Sequence, residues 1–221
     1  MNIPIYILNY QNEARKERMT NRLKDLNINF INGVNINAKD YNIDPHEARN
    51  WSIMLSHLEN IKHFYYKTDA SHAVFCEDDI YIHKNFSNLL PVIIKNFKQL
   101  NLDVLLLSYL LPFHPEHCCD LIKEESDFKY YKYGDDIWGA HLYLISRAYA
   151  IYLIEKFTIE WAVNNLDKPF SPDWILTKNG NRALVWPVLG VEEGEINSKD
   201  EGQKSFHENC NKFLYNKDIY L

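Results

Sequence analysis

Three consecutive carboxylates, Glu77, Asp78 and Asp79, follow directly on the apolar run His72-Ala73-Val74-Phe75-Cys76. A run of that length and composition reads as a buried strand, so the acids fall where the strand leaves its sheet. Ligands of open α/β sheets bind at that carboxyl edge. Three such charges are costly to ionise together unless a cation offsets them. Oxygen-only donors favour hard ions, Mg2+ or Mn2+, over zinc. Such an ion would let an acidic chain hold a diphosphate. The plain alternative for any acidic triplet is a solvated turn.

Other chemistry-bearing residues are less specific. Arg15 and Arg18 are either solvated helix charges or groups for a nucleotide or phosphate. Ser56 and His57 are adjacent on a helical stretch, pointing about 100° apart, so they form no nucleophile pair. A buried hydrogen-bonding role or a donor contact suits them better. Trp138 reads as a core aromatic or as the floor of a sugar site. His46-Glu47-Ala48-Arg49-Asn50 lacks the second histidine of a zinc-protease helix. The donors of His114-Pro115-Glu116-His117-Cys118-Cys119 match no common zinc spacing. With seven glycines and neither GxGxxG nor GxxxxGK, the chain has no glycine-rich phosphate cradle.

Composition narrows the classes. The 221 residues are 46% hydrophobic, which suits one packed domain and excludes wholesale disorder. Net charge is −6 and no Lys/Arg run stands out, which argues against nucleic acid as a partner. No apolar stretch approaches the ~20 residues of a membrane span, and the first residues do not resemble a signal peptide. Four cysteines without a CxxC pair read as reduced thiols, so the expected location is cytoplasmic.

These residues must be held by alternating strands and helices. Ile3 to Leu8 reads as a strand, Asn12 to Leu26 as an amphipathic helix and Asn27 to Val34 as a strand and turn. Asp44-Pro45-His46-Glu47 has the grammar of a helix start, with Trp51, Met54, Leu55, Leu58, Ile61 and Tyr65 on one stripe beyond it. After the strand ending at Cys76, Ser87 caps a helix to about Leu100. Strands follow at Asp103 to Tyr109, Tyr130 to Tyr133 and His141 to Ile145. Helices follow at Ser146 to Phe157 and Ser171 to Lys178, and a late strand at Ala183 to Val188. The tail, polar after about 195, shows little pattern. The alternation predicts a single-domain α/β sandwich on a mainly parallel sheet.

Four segments in this order resemble glycosyltransferase family 25, which includes lipooligosaccharide and procollagen galactosyltransferases. Ile5-Tyr6-Ile7-Leu8-Asn9-Tyr10 with Arg15 and Arg18 is similar to its opening strand. Met54-Leu55-Ser56-His57-Leu58 is similar to its "LSH" helix segment. Ala73 to Asp79 resembles its hydrophobic strand and EDD form of the DXD motif. Gly139-Ala140-His141-Leu142-Tyr143-Leu144-Ile145-Ser146-Arg147 resembles its "G-A-Y-x-I-S" strand. Ile53 departs from the small residue or cysteine usual before "LSH", and the family's C-terminal segment has no clear counterpart here.

The resemblance implies a GT-A-type, Rossmann-like α/β/α sandwich and inverting transfer of a hexose, galactose or glucose, from a UDP-sugar. The acceptor would be a glycan, glycolipid or protein hydroxyl. It implies Asp79 on Mn2+ or Mg2+, with Glu77 supporting, and Asn9, Arg15, Ser56, His57, Glu77 and Asp78 around the donor. Inversion needs a base for the acceptor hydroxyl; Asp173 is the first expectation, Asp135 and Asp136 the next. A helix cap with an acid in its first turn is the plain reading of Asp173. Two rival functions are a non-catalytic relative that binds nucleotides or glycans, and a sugar-nucleotide hydrolase.

Overall fold

Short continuous apolar runs and period-3.6 stripes alternate along the chain, and the computed structural model, which describes residues 3–194 and 200–221, turns them into strands and helices in that order. The first half runs β1 (Ile5–Asn9), α1 (Glu13–Arg22), β2 (Ile28–Asn32), α2 (Ala38–Tyr41), α3 (Pro45–Lys67), β3 (His72–Glu77), β4 (Ile80–Ile82) and α4 (Phe86–Gln99). Then come β5 (Val104–Leu110), a 3-10 turn at Pro115–His117, β6 (Asp120–Glu125), β7 (Phe128–Lys132) and β8 (Trp138–Ser146). The chain continues through α5 (Arg147–Lys156), α6 (Ile159–Val163), α7 (Pro172–Ile175), β9 (Arg182–Trp186), β10 (Gly190–Glu192) and α8 (Glu201–Leu214).

The main sheet has eight strands in the order β2-β1-β3-β8-β5-β9-β7-β6. β1 pairs in parallel with β2 and β3, and β5 with β9. β8 runs against β3 and β5, and β7 against β9 and β6. All strands but β7 and β8 therefore point the same way, and their carboxyl ends share one edge. β4 and β10 pair apart as a small antiparallel sheet.

One core packs α3 and α5 on the face that carries Tyr6, Phe75 and Tyr143. The other packs α1 and α4 on the face that carries Ile7, Cys76 and Leu105. Helices on both faces of a twisted sheet make a Rossmann-like α/β/α sandwich. α3 forms as its sequence demands. Asp44 Oδ1 accepts from the amides of His46 and Glu47 at 2.8 and 2.9 Å, and Pro45 opens the first turn. Its buried stripe holds Trp51, Met54, Leu58, Ile61 and Phe64; Phe64 takes the deep place expected of Tyr65.

Several elements differ from the sequence reading. The polar tail contains α8, capped by Asp200, and buries only Cys210 and Leu214, too few apolar positions to register as a stripe. Residues 195–199, where that tail begins, lie outside the described residues. β6 carries no apolar alternation because it is the sheet's edge and forms by pairing with β7. α7 is a single turn that ends before Lys178. Among the described residues no helix is long and apolar enough to cross a membrane, and all four cysteines are free thiols.

Candidate functional site

The acids lie where the sheet topology puts them. Leu8 pairs with Glu77 across β1 and β3, so both strands end together and their loops open at the carboxyl edge. A cavity of about 610 Å³ lies there, lined by Tyr10, Arg15, the 33–38 segment, Arg49, Ser56 and all three acids. That volume falls in the range of small-molecule sites, about 300–1,000 Å³. Its wall is pinned to α3 by two serines. Ser56 Oγ accepts from Val34 N at 2.7 Å, and Ser52 Oγ from Ile36 N at 3.2 Å.

Each acid has a different surrounding. Asp78 is buried; it accepts from Asn9 Nδ2 at 2.5 Å and from Arg15 at 3.1 Å. Burial raises its carboxyl above the ordinary range, against the pull of Arg15 and Asn9. Asp79 lies 3.0 Å from Arg15 with its side chain 31% exposed. Burial, then Glu77, and also Asp78 and Glu193, push its pKa up to about 7, with Arg15 opposing. For Glu77, burial acts upward, but the His57 ring, His141 and Arg15 outweigh it, and the carboxyl ends below its usual range.

Glu77 turns toward the α3 face. His57 Nε2 is 3.5 Å from its Oε1, and His57 Nδ1 shares a 2.9 Å hydrogen bond with the hydroxyl of buried Tyr143. His57 is fully enclosed and, like Asn9, stands behind the cavity wall. Asn9 thus holds Asp78 through a hydrogen bond, while His57 sets its ring beside Glu77.

Asp173 opens α7 beside the start of β8, outside the lining of the 610 Å³ cavity. Its Oδ1 accepts from Gly139 N at 2.8 Å. Burial raises its carboxyl, the Gly139 amide opposes this, and Glu77 adds to the rise, so Asp173 and Glu77 feel each other. Asp135 is exposed and paired with Arg182 at 2.7 Å, which holds its carboxyl below the usual range. Asp136 is exposed. Trp138 and Trp174 meet edge to face at 5.6 Å, with Lys178 Nζ 3.8 and 4.2 Å from their ring centres. Arg18 is drawn away from the cavity by Glu193 at 2.9 Å.

A hard divalent cation fits the donor set in type. Glu77, Asp78 and Glu193 crowd Asp79, adding to burial in lifting its pKa to about 7, and Arg15 offsets only part of that. Among the described residues no three His, Cys, Asp or Glu side chains converge as a ready-made cage. Few protein ligands suit Mg2+ and its like, which keep waters and take substrate phosphates. Asp79, with Glu77 behind it, would hold the ion.

Sequence reasoning passed over three contributors. Tyr10 stands at the cavity mouth, more than half exposed. Glu193, directly after β10, donates its backbone N–H to Asp79 O at 2.8 Å and receives Arg18 and Arg22 on its carboxylate. His141 lies in β8 beside Glu77; its one signal was a histidine where the "G-A-Y-x-I-S" pattern has tyrosine.

No protein-family model and no curated protein matches the chain. Among solved structures, mannose-1-phosphate geranyltransferase from Thermus thermophilus aligns over 84% of this chain and 74% of its own, at 13% identity and a TM-score of 0.50. A197 from STIV aligns over 83% and 81%, at 12% identity and a TM-score of 0.44. HddC from Yersinia pseudotuberculosis aligns over 96% and 78%, at 13% identity and a TM-score of 0.39. At such identity the first likeness speaks for fold, and it agrees with the sheet order and layers: the chain is a Rossmann-like α/β protein.

Proposed function

We propose that the chain is a metal-dependent, inverting glycosyltransferase that moves a hexose from a UDP-sugar to a hydroxyl of a glycan, glycolipid or protein. The observation that carries this reading is the opening of Glu77, Asp78 and Asp79 into the 610 Å³ cavity at the sheet's carboxyl edge. The four family-like segments supply the reaction type, and all four reach this edge. The structural neighbour from Thermus thermophilus, a transferase whose name includes a sugar phosphate, shares the fold.

In this reading the nucleoside lies along the 33–38 wall with Tyr10 at its base, and the diphosphate points to the acids. Asp79 would hold a divalent ion, whose chemistry when bound would be Lewis-acid stabilisation of the departing diphosphate. Arg15 holds Asp78 and Asp79 in place through its guanidinium. Asn9 keeps Asp78 from turning away, with the His57 ring beside Glu77. The acceptor approaches from the β8 and α7 side, where Asp173 is the carboxylate that drives removal of the hydroxyl proton. The test is a panel of sugar nucleotides incubated with and without Mn2+ and scored for nucleotide release, with calorimetry of UDP binding alongside. Release that rises with a hydroxyl acceptor is the expected result. UDP binding without release would make the chain a binding module, and release indifferent to acceptors would make it a hydrolase.

A further inference from the structure

His141 sits on β8, 6% exposed, and among the described residues no hydrogen bond or ion pair reaches its ring. Its ring nitrogens are not sealed as Nε2 of His57 and of His72 are, so they open to solvent and can meet a ligand. Two contacts of its strand set its place. The register pairing Cys76 with Leu142 brings His141 beside Glu77. Asp173 is joined to the same strand through its Oδ1, which accepts from Gly139 N at 2.8 Å.

Gly139 makes that arrangement possible. Its φ is +112°, a conformation that L side chains rarely adopt. A Cβ at this position would lie 2.5 Å from His141 Cε1 and 3.0 Å from Nδ1. The imidazole thus lies against the bare backbone of Gly139, near enough to Glu77 and Asp173 for its charge to act on both carboxylates.

We propose that His141 is a catalytic residue of the transfer, its imidazole contacting the acceptor hydroxyl beside Asp173. The inference rests on the glycosyltransferase reading above. The acceptor oxygen forms its bond to the anomeric carbon as the bond from that carbon to the diphosphate oxygen breaks, the electron pair leaving with the diphosphate. The hydroxyl proton passes to the imidazole nitrogen. Asp173 and Glu77 offset the positive charge that results. Asp173 then acts through His141, which fits a carboxylate with one oxygen already committed to a backbone amide.

The test compares His141→Asn, His141→Ala, Asp173→Asn and the double variant H141N/D173N. UDP binding in Mn2+ is read by calorimetry, and UDP release from UDP-galactose and UDP-glucose is read with methyl hexosides as acceptors. The expected result is UDP affinity within about twofold of the parent in every variant, and transfer down on the order of 10²-fold in each single variant. The double variant should lose no more than about threefold beyond the worse single, as groups acting as one unit do. Thermal melting identifies any variant that fails to fold, and the asparagine variant carries the test if alanine does not. Transfer within about threefold of the parent in H141N, with D173N inactive, overturns the proposal while leaving the transferase reading intact. Loss of UDP binding in step with transfer also overturns it, because His141 would then be structural. A parent protein that neither binds UDP nor releases it from either donor overturns both readings.

Discussion

Asp79 and Tyr10 both line the cavity and answer different questions about it. Asp79 is ionised at a cost, because burial and three neighbouring carboxylates act on it against one arginine. Asp79→Asn keeps the shape and removes one charge. Mn2+-dependent release of UDP should fall on the order of 10²-fold or more, while the melting temperature holds or rises because repulsion is relieved. Unchanged turnover with unchanged Mn2+ dependence would remove Asp79 from the metal site. Tyr10 offers an exposed ring where a base would lie, and base–aromatic stacking contributes about 1–3 kcal/mol. Tyr10→Ala should weaken UDP binding roughly 5–150-fold by calorimetry, with little effect on stability; equal affinity would place the base elsewhere. At this scale the position of the acids was legible because they follow directly on an apolar run that forms a buried strand ending at the carboxyl edge. Tyr10 and His141 were not. A lone aromatic after a strand and a lone histidine within one look the same whether they pack or act, and only Gly139's bare backbone and the β3–β8 register give His141 a setting.

Among the elements, α3 was the most legible, since its start is written in local chemistry. Asp44 caps two amides and Pro45 has no amide to satisfy. Asp44→Ala should cost about 1 kcal/mol, measured as a lower urea midpoint with unchanged slope; no loss would mean that water replaces the cap. α3 also carries Ser52 and Ser56, so its first turns hold the cavity wall, and the same substitution should loosen UDP binding slightly. The elements that escaped reading share one trait: their signal is not local. β4 and β10 are three residues each and exist through each other. β6 is a charged edge that needs β7. α8 buries two side chains and is anchored through its flank, His207 to Glu192 at 2.7 Å and Asn211 Nδ2 to Glu192 O at 2.8 Å. That anchoring matters to the site, because Glu193 follows and hydrogen-bonds Asp79. The acidic tail segment, unplaced by its sequence, thus enters the electrostatics of the metal candidate.

For the whole molecule, the response of stability to pH is a sum of opposing terms, and one of them can be isolated. Asp78, Asp79 and Asp173 have carboxyls raised in the folded state, Asp79 to about 7. Such groups bind protons more tightly when folded, so their contribution improves as pH falls. His72 does the reverse. It is buried at the start of β3, its Nδ1 2.7 Å from Ser71 Oγ, its Nε2 sealed without a partner. Burial, aided by Lys98, lowers its pKa to about 4 from 6.5. Between those values the unfolded chain binds the proton and the folded chain does not, so stability is full above about pH 6.5 and is lost as pH falls toward 4. With a discount for partial solvent access, the loss from pH 7 to pH 5 should be about 1–2 kcal/mol. His72→Asn keeps a polar side chain of similar reach and removes the titration. Its urea midpoint should therefore change less than the parent's between pH 7 and pH 5, and the difference between the two proteins isolates His72 from the acids. Parallel pH profiles for parent and variant would show that the imidazole takes up its proton as readily in the folded protein as in the unfolded chain.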